Sequence, residues 1–333
     1  MKYLVTGAAG FIGSAVAQKI AGLGHTVTGV DCFSDFYSPD LKNKRVEMLL
    51  TPLGVEVFRA DISNKDSIRE VFKNERPDVV VHLAAQAGVR LSINETDKYV
   101  TSNLVGFSNV LQAVVESKTP DFLYASSSSV YGDSAKIPYD ESENNLFPNS
   151  FYGATKLSNE ILAPTLIKGS QTRARGFRLF TVYGPWGRPD MAYFRIITAA
   201  LNGNKFSLFG DGSVERDFTY IDDVASIIYE LSLDLNSRRA GFHDIVNIGG
   251  GRPLSVNYLI KLVEEFIGKK LDISITAKNT NDSQKTMASD TYLKTLIGNN
   301  HFTELESGIR KLHEWCVSPQ NYGFLTEWVE SSK

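Results

Sequence analysis

The chain has 333 residues, 35 Lys plus Arg against 38 Asp plus Glu, and a formal net charge of −3; that length suits one large or two modest domains, and the balanced charge without a long basic run argues against nucleic acid as a partner. Its two cysteines, Cys32 and Cys316, stand far apart without a second Cys or His at ligand spacing, so neither a disulfide framework nor a metal site is expected. The first residues show no signal-peptide organisation and no apolar run approaches the roughly 20 residues of a membrane span, so the expectation is a soluble, cytoplasmic protein with no membrane partner.

Residues 2–6 form a short apolar strand that runs into Gly7-Ala8-Ala9-Gly10-Phe11-Ile12-Gly13. Phe11, Ile12, Val16 and Ile20 then recur at helical spacing, and the pattern stops near Gly24. Strand, glycine loop and helix in that order let the backbone approach a pyrophosphate, whose charge meets the free N–H groups and positive dipole end of the helix. The loop predicts dinucleotide binding. A second strand, 26–30, ends on Asp31, about twenty residues past the loop, where an acid accepts ribose hydroxyls and repels a 2′-phosphate. NAD is expected over NADP; the competing reading is a carboxylate that only satisfies a loop amide.

A third strand, 55–58, leads to Arg59-Ala60-Asp61-Ile62, which sets Asp61 at a strand end where it can meet an adenine amino group. After a helix over 65–74 comes Pro77-Asp78-Val79-Val80-Val81-His82-Leu83-Ala84-Ala85, a continuous apolar run typical of a strand buried on both faces. His82 inside it reads as a buried, hydrogen-bonded histidine rather than a base. The small Ala84 and Ala85 leave room for a cofactor. Alternating strands and helices imply a Rossmann-type, doubly wound parallel α/β sheet with ligands at the carboxyl ends of its strands.

Past a loop containing Gly88-Val89-Arg90, a long helix is expected over 95–117, then a strand over 122–125 that opens into Ser126-Ser127-Ser128-Ser129-Val130-Tyr131-Gly132. That serine loop lies at a carboxyl end and suits a donor to a substrate oxygen. Tyr152 and Lys156, four residues apart, share one helix face, and a close ammonium favours the phenolate of a tyrosine whose ordinary pKa is about 10. From about residue 178 the alternation breaks. The expected division is 1–178 with 217–249 as the cofactor domain, and 179–216 with 250–333 as a smaller mixed α/β substrate domain.

The glycine loop, Asp31, the serine loop and the Tyr152–Lys156 pair together resemble the extended short-chain dehydrogenase/reductase family, in its nucleotide-sugar epimerase and dehydratase branch. Asp35-Phe36-Tyr37, Gln86 to Arg90, Phe180 to Ala192 and Arg216 to Tyr220 look most like UDP-glucuronate 4-epimerases. Related dehydratases carry an Asp-Glu pair where Ser128-Ser129 stands, and related decarboxylases carry Glu at the Ser129 position; neither carboxylate is here. The resemblance implies a UDP-sugar substrate, tightly held NAD, and catalysis by Ser127, Tyr152 and Lys156. It also implies cofactor contacts from Gly7, Gly10, Phe11, Ile12, Gly13, Asp31, Asp61, Ile62, Leu83, Ala84, Ala85, Asn103 and Ser126, besides Tyr152 and Lys156. Substrate contacts would come from Gly88, Arg90, Ser129, Thr181, Arg188 and Arg216, with residues 206–209 beside the uracil. Arg188, read with Thr181 and Ser129, meets a sugar carboxylate; the alternative is a surface salt bridge. A homodimer built on the helices 95–117 and 152–167 is implied as well. The segment Asn281 to Asp290 departs from the family's diphosphate contact, with Lys285 as the available cation. A 4-epimerase of neutral sugar nucleotides and a non-catalytic NAD sensor remain the competing functions.

Overall fold

The computed structural model describes residues 1–88, 95–277, 283–299, 302–322 and 325. In chain order its strands are β1 (Lys2–Thr6), β2 (Thr26–Asp31), β3 (Glu56–Arg59), β4 (Val79–His82), β5 (Asp121–Ser127), β6 (Arg173–Leu179), β7 (Thr181–Tyr183), β8 (Phe206–Phe209), β9 (Glu215–Tyr220), β10 (His243–Ile248), β11 (Pro253–Ser255) and β12 (Ile273–Thr276). The helices are α1 (Phe11–Gly22), α2 (Pro39–Arg45), α3 (Lys65–Glu75), α4 (Thr96–Tyr99), α5 (Phe107–Glu116), α6 (Phe151–Ile167), α7 (Ala192–Asn202), α8 (Ile221–Asn236), α9 (Val256–Ile267), α10 (Thr291–Ile297) and α11 (Leu305–Val317). The expected long helix over 95–117 is α4 and α5 joined by wider, π-helical turns over Val100–Gly106.

Seven strands form one sheet in the order β10-β6-β5-β4-β1-β2-β3, every pairing parallel. Successive side chains of a strand point to opposite faces, so Tyr3 and Val5 enter one core with Val79 and Val81, while Leu4 enters the other with Val80. Helices α1 and α8 pack together on the first face; α3, α5 and α6 pack in sequence on the second. This is the Rossmann-type doubly wound sheet that alternating strands and helices predict.

Burial of both faces explains why β4 reads as one apolar run. It also forces charged residues on β6 to find partners. Arg175 is fully buried and bonds Asp234 of α8 at 2.8 Å and Asp244 of β10 at 2.7 Å. That pairing fixes the late segment carrying α8 and β10 to the main sheet, since an unpaired guanidinium there would be strongly destabilising. A three-stranded sheet, β11-β9-β7, and a parallel pair of β8 and β12 make up the rest. Among the described residues no helix is long and apolar enough to cross a membrane.

Candidate active site

The glycine loop joins β1 to α1, and its geometry leaves no room for side chains. Gly7 has φ +71°, and a Cβ there would lie 2.8 Å from the Ala84 nitrogen at the end of β4. A Cβ on Gly13 would lie 2.0 Å from the Gly7 carbonyl oxygen. Gly10 stands at the N-cap of α1 and offers no side-chain acceptor, and the first turn holds no acid. Helix N–H groups and the dipole are thus presented to an anion. Asp31 ends β2 beside this loop; its Oδ2 accepts from Ala9 N at 3.0 Å and its Oδ1 from Phe33 N at 2.8 Å. The competing reading of Asp31 is thus seen directly, since the carboxylate satisfies a loop amide at the carboxyl end of β2.

Tyr152 and Lys156 lie in the first two turns of α6, capped by Ser150, whose Oγ accepts from Gly153 N at 3.0 Å. Gly153 sits directly on the serine loop, where a Cβ would meet the Ser129 carbonyl oxygen at 2.6 Å. That close approach brings the Ser127 hydroxyl near enough to Tyr152 to lower the pKa of its phenol. Ser127 is held in turn by its own loop, its Oγ accepting from Ser129 N at 3.1 Å. Burial pushes the Tyr152 phenol above its ordinary value, while Arg188 and then Ser127 pull it back. The expected agent of that lowering was Lys156; the charge that acts on the phenol is Arg188. The Lys156 ammonium instead donates to the Ala125 carbonyl at 2.9 Å, 5.9 Å from the Tyr152 ring centroid, and burial brings its pKa down to about 8.

Arg188 arrives from the loop after β7. It is paired, as the alternative reading had it, but not on the surface: Nε and Nη2 bond the two oxygens of Asp190 at 3.0 and 2.6 Å. Burial works against its charge, and Asp190 more than offsets that, so the guanidinium stays charged with its pKa raised. The Phe36 ring lies 5.5 Å from Cζ, and the space that a Cβ on Gly88 would take is 3.6 Å from Nη2. Ser127, Tyr152, Lys156, Gly88 and Arg188 thus converge.

The remaining predicted residues fall around this centre with different neighbours. Asn103 is buried and clamps Gln86 through both backbone groups, accepting at 2.8 Å and donating at 3.1 Å, and also bonds Thr155. Leu83, Ala84 and Ala85 follow β4, with Leu83 N donating to Thr6 O at 3.1 Å. Asp61 caps its own turn by accepting from Ser63, and Ile62 is buried. Ser126, buried on β5, donates to Glu160, which also holds Arg178 at 2.7 Å. Thr181 begins β7 in register with Phe218. Arg216 stands on β9, donating to the Glu215 carbonyl at 2.8 Å, while Lys285 pairs with the Glu215 carboxylate at 2.7 Å. Arg90 lies outside the described residues. His82 is buried as expected; its Nδ1 lies 2.7 Å from Thr6 Oγ1, and burial followed by the Lys156 charge takes its pKa down to about 3.

Several neighbours were not foreseen. Tyr99 stands edge-on to Tyr152 with ring centroids 6.2 Å apart and donates to the Gly88 carbonyl; burial, then Tyr152, pushes its pKa up to about 12. Arg45, fully buried, reaches from α2 to both the glycine loop and the loop preceding Arg188. Neither residue carries a spacing signal, because both act across chain separations that only the fold closes. Ser150 was legible as an N-cap, a small hydroxyl residue just ahead of the helix. Among the described residues no cluster of His, Cys, Asp and Glu could hold a metal.

Comparison with known proteins agrees with this geometry. A "Probable UDP-glucuronate 4-epimerase" from Rhizobium meliloti (strain 1021) is 36% identical over 97% of this chain and 98% of its own length. "UDP-glucuronate 4-epimerase 3" of Arabidopsis thaliana is 37% identical over 96% of this chain and 77% of its own length. The crystal structure of UDP-glucuronic acid 4-epimerase from Bacillus cereus, in complex with UDP-glucuronic acid and NAD, superposes with a TM-score of 0.85 at 33% identity, covering 95% of this chain and 98% of that one. Residues 3–249 match the NAD dependent epimerase/dehydratase family, and with the glycine loop, the serine loop and the Tyr152–Lys156 pair in one site, the chain belongs to that family.

Proposed function

We propose that the protein is an NAD-dependent 4-epimerase that interconverts UDP-glucuronate and UDP-galacturonate. The observation that carries the substrate choice is the enclosed guanidinium of Arg188, gathered with Gly88 and Phe36 beside the base Tyr152. A planar fork matches a carboxylate in two-point geometry. The two similar epimerases named above and the solved complex support the same choice.

The residues fit NAD. Gly7, Gly10 and Gly13, with the backbone of Phe11 and Ile12, would hold its diphosphate; Asp31 its adenosine ribose; Asp61 and Ile62 its adenine. Leu83, Ala84, Ala85, Asn103 and Ser126 would line its path, and Lys156 its nicotinamide ribose. When bound, NAD supplies a reversible hydride acceptor at sugar C4. Ser127 orients the C4 hydroxyl, and Tyr152 removes its proton and, once the 4-keto sugar has turned its other face inward, returns one to the C4 oxygen. Arg188, Thr181 and Ser129 hold the C6 carboxylate. Because a 4-keto uronic acid is prone to lose CO₂, fixing that carboxylate protects the intermediate. Gly88 flanks the sugar, and Arg216 serves the diphosphate.

The cytoplasm is the proposed location and a homodimer the proposed assembly. Ile161 of α6 is 61% exposed and Val105, ahead of α5, is 46% exposed, with Val100, Leu162 and Leu166 also on the surface; two copies would cover these residues as a four-helix bundle. The deciding experiment is incubation of the purified protein with UDP-glucuronate or UDP-glucose. Formation of UDP-galacturonate is expected; turnover of the neutral sugar alone would transfer the function to a neutral-sugar epimerase.

A further inference from the structure

Arg45 is fully buried, yet among the described residues no acid pairs with it. Its five N–H groups are all used: Nε and Nη2 donate to the Trp186 carbonyl at 3.0 and 2.6 Å, and Nη2 to the Gly187 carbonyl at 3.1 Å. Nη1 donates to the Ala9 carbonyl at 3.2 Å and to the Tyr37 hydroxyl at 2.6 Å. A buried charge without a counter-charge is poor material for stability, since an apolar side chain of similar volume would fill the space without the desolvation cost. What the fork supplies, and an apolar residue would not, is geometry.

That geometry is concentrated on the turn before Arg188. Trp186 has φ +62°, a left-handed conformation that a bulky residue rarely holds. Gly187 is pressed from the other side, where a Cβ would lie 2.6 Å from the Tyr193 hydroxyl and 2.9 Å from the Gly184 carbonyl. Arg45 gathers the two consecutive carbonyls of this turn onto one guanidinium, and the next residue is Arg188. The same guanidinium holds the carbonyl of Ala9, whose N–H is held by Asp31. A continuous chain of bonds therefore runs from the cofactor loop to the residue that faces the sugar.

We infer that Arg45 is a positioning residue for substrate specificity: it holds the Trp186–Gly187 turn so that Arg188 faces a sugar carboxylate beside Tyr152. The inference rests on the proposed role of Arg188. It predicts that the rigid fork matters and the charge alone does not, so Arg45→Lys is the informative variant.

The test is calorimetric titration of the NAD-loaded enzyme with UDP-glucuronate and, separately, with UDP. Arg45→Lys should retain UDP affinity within about twofold and lose roughly tenfold for UDP-glucuronate, in the same direction as Arg188→Met. Should Arg45→Lys not fold, Tyr37→Phe, which removes one acceptor from the guanidinium, decides the matter with a smaller loss of the same selectivity. Parallel loss for both ligands, or no loss for either, assigns Arg45 to general stability and overturns the inference. An Arg188→Met enzyme that binds UDP-glucuronate as wild type overturns the carboxylate reading, and this inference with it; selective loss in Arg188→Met without loss in the Arg45 and Tyr37 variants overturns this inference alone.

Discussion

Arg188 and Asp190 close a two-point ion pair, Nε to Oδ1 at 3.0 Å and Nη2 to Oδ2 at 2.6 Å, with the side chains only 18% and 29% exposed. Asp190 thus holds the Nε–Nη2 edge of the guanidinium. Replacing Asp190 by Asn leaves the cation less compensated and should lower stability without ligand by about 1–3 kcal/mol. UDP-glucuronate should then restore more than it does in wild type. Thermal-shift measurements with and without the sugar nucleotide check this; a smaller ligand-induced shift in the variant would count against it.

Tyr152→Phe removes the acid–base hydroxyl and keeps the ring that packs edge-on against Tyr99. The turnover rate should fall by about 10²–10⁴-fold, the usual share of general acid–base catalysis. Affinity for UDP-glucuronate should stay within a few-fold of wild type. Steady-state kinetics beside titration separates the two, and a variant turning over at more than a tenth of the wild-type rate would place the base elsewhere.

Gly13→Ala tests the cofactor cradle. Its Cβ would meet the Gly7 carbonyl at 2.0 Å, so backbone must move, and overpacking of this kind typically costs about 1–3 kcal/mol. The purified variant should carry far less NAD, measured by chromatography of the heat-released nucleotide. Retention of a full complement would show that the loop tolerates the shift.

His82 gives a pH signature. Its pKa falls from 6.5 to about 3 on burial, with Lys156 adding to the effect. Protons therefore bind the unfolded chain more readily. Stability from this residue is complete above about pH 6.5 and is lost as pH falls toward 3, at up to about 1.4 kcal/mol per pH unit. Unfolding of wild type and of His82→Leu, followed between pH 7 and 4, should converge as the pH drops. Parallel profiles would mean that His82 is protonated in the folded state.

The proposed dimer predicts that Ile161→Lys, placed on the 61%-exposed apolar position of α6, shifts the mass from two chains to one at micromolar concentration. Light scattering measures this directly. A monomeric wild type, or an unchanged mass in the variant, would remove the four-helix assembly.

The glycine loop, Asp31, the serine loop and the Tyr152–Lys156 pair were all legible in the sequence because each is a local device: a tight turn, a strand end, one helix face. The buried run of β4 was legible for the same reason, through hydrophobic pattern. Other parts were not. Helix α2 and strands β7, β9, β11 and β12 were left without element boundaries, being short or lacking a strong period, and their stability comes from the partners they pair with.

By itself, then, the sequence determined a doubly wound sheet, its glycine loop and the helix that carries Tyr152 and Lys156, since local spacing and alternating burial dictate these. Tertiary structure alone decided which charges act on one another. Arg188, not the neighbouring Lys156, is the cation that works against the burial that raises the Tyr152 phenol. Arg45 meets Ala9, 36 residues away, and Trp186, 141 residues away. Electrostatic effects in a protein depend on distance and burial in space, and neither can be read from separation along the chain.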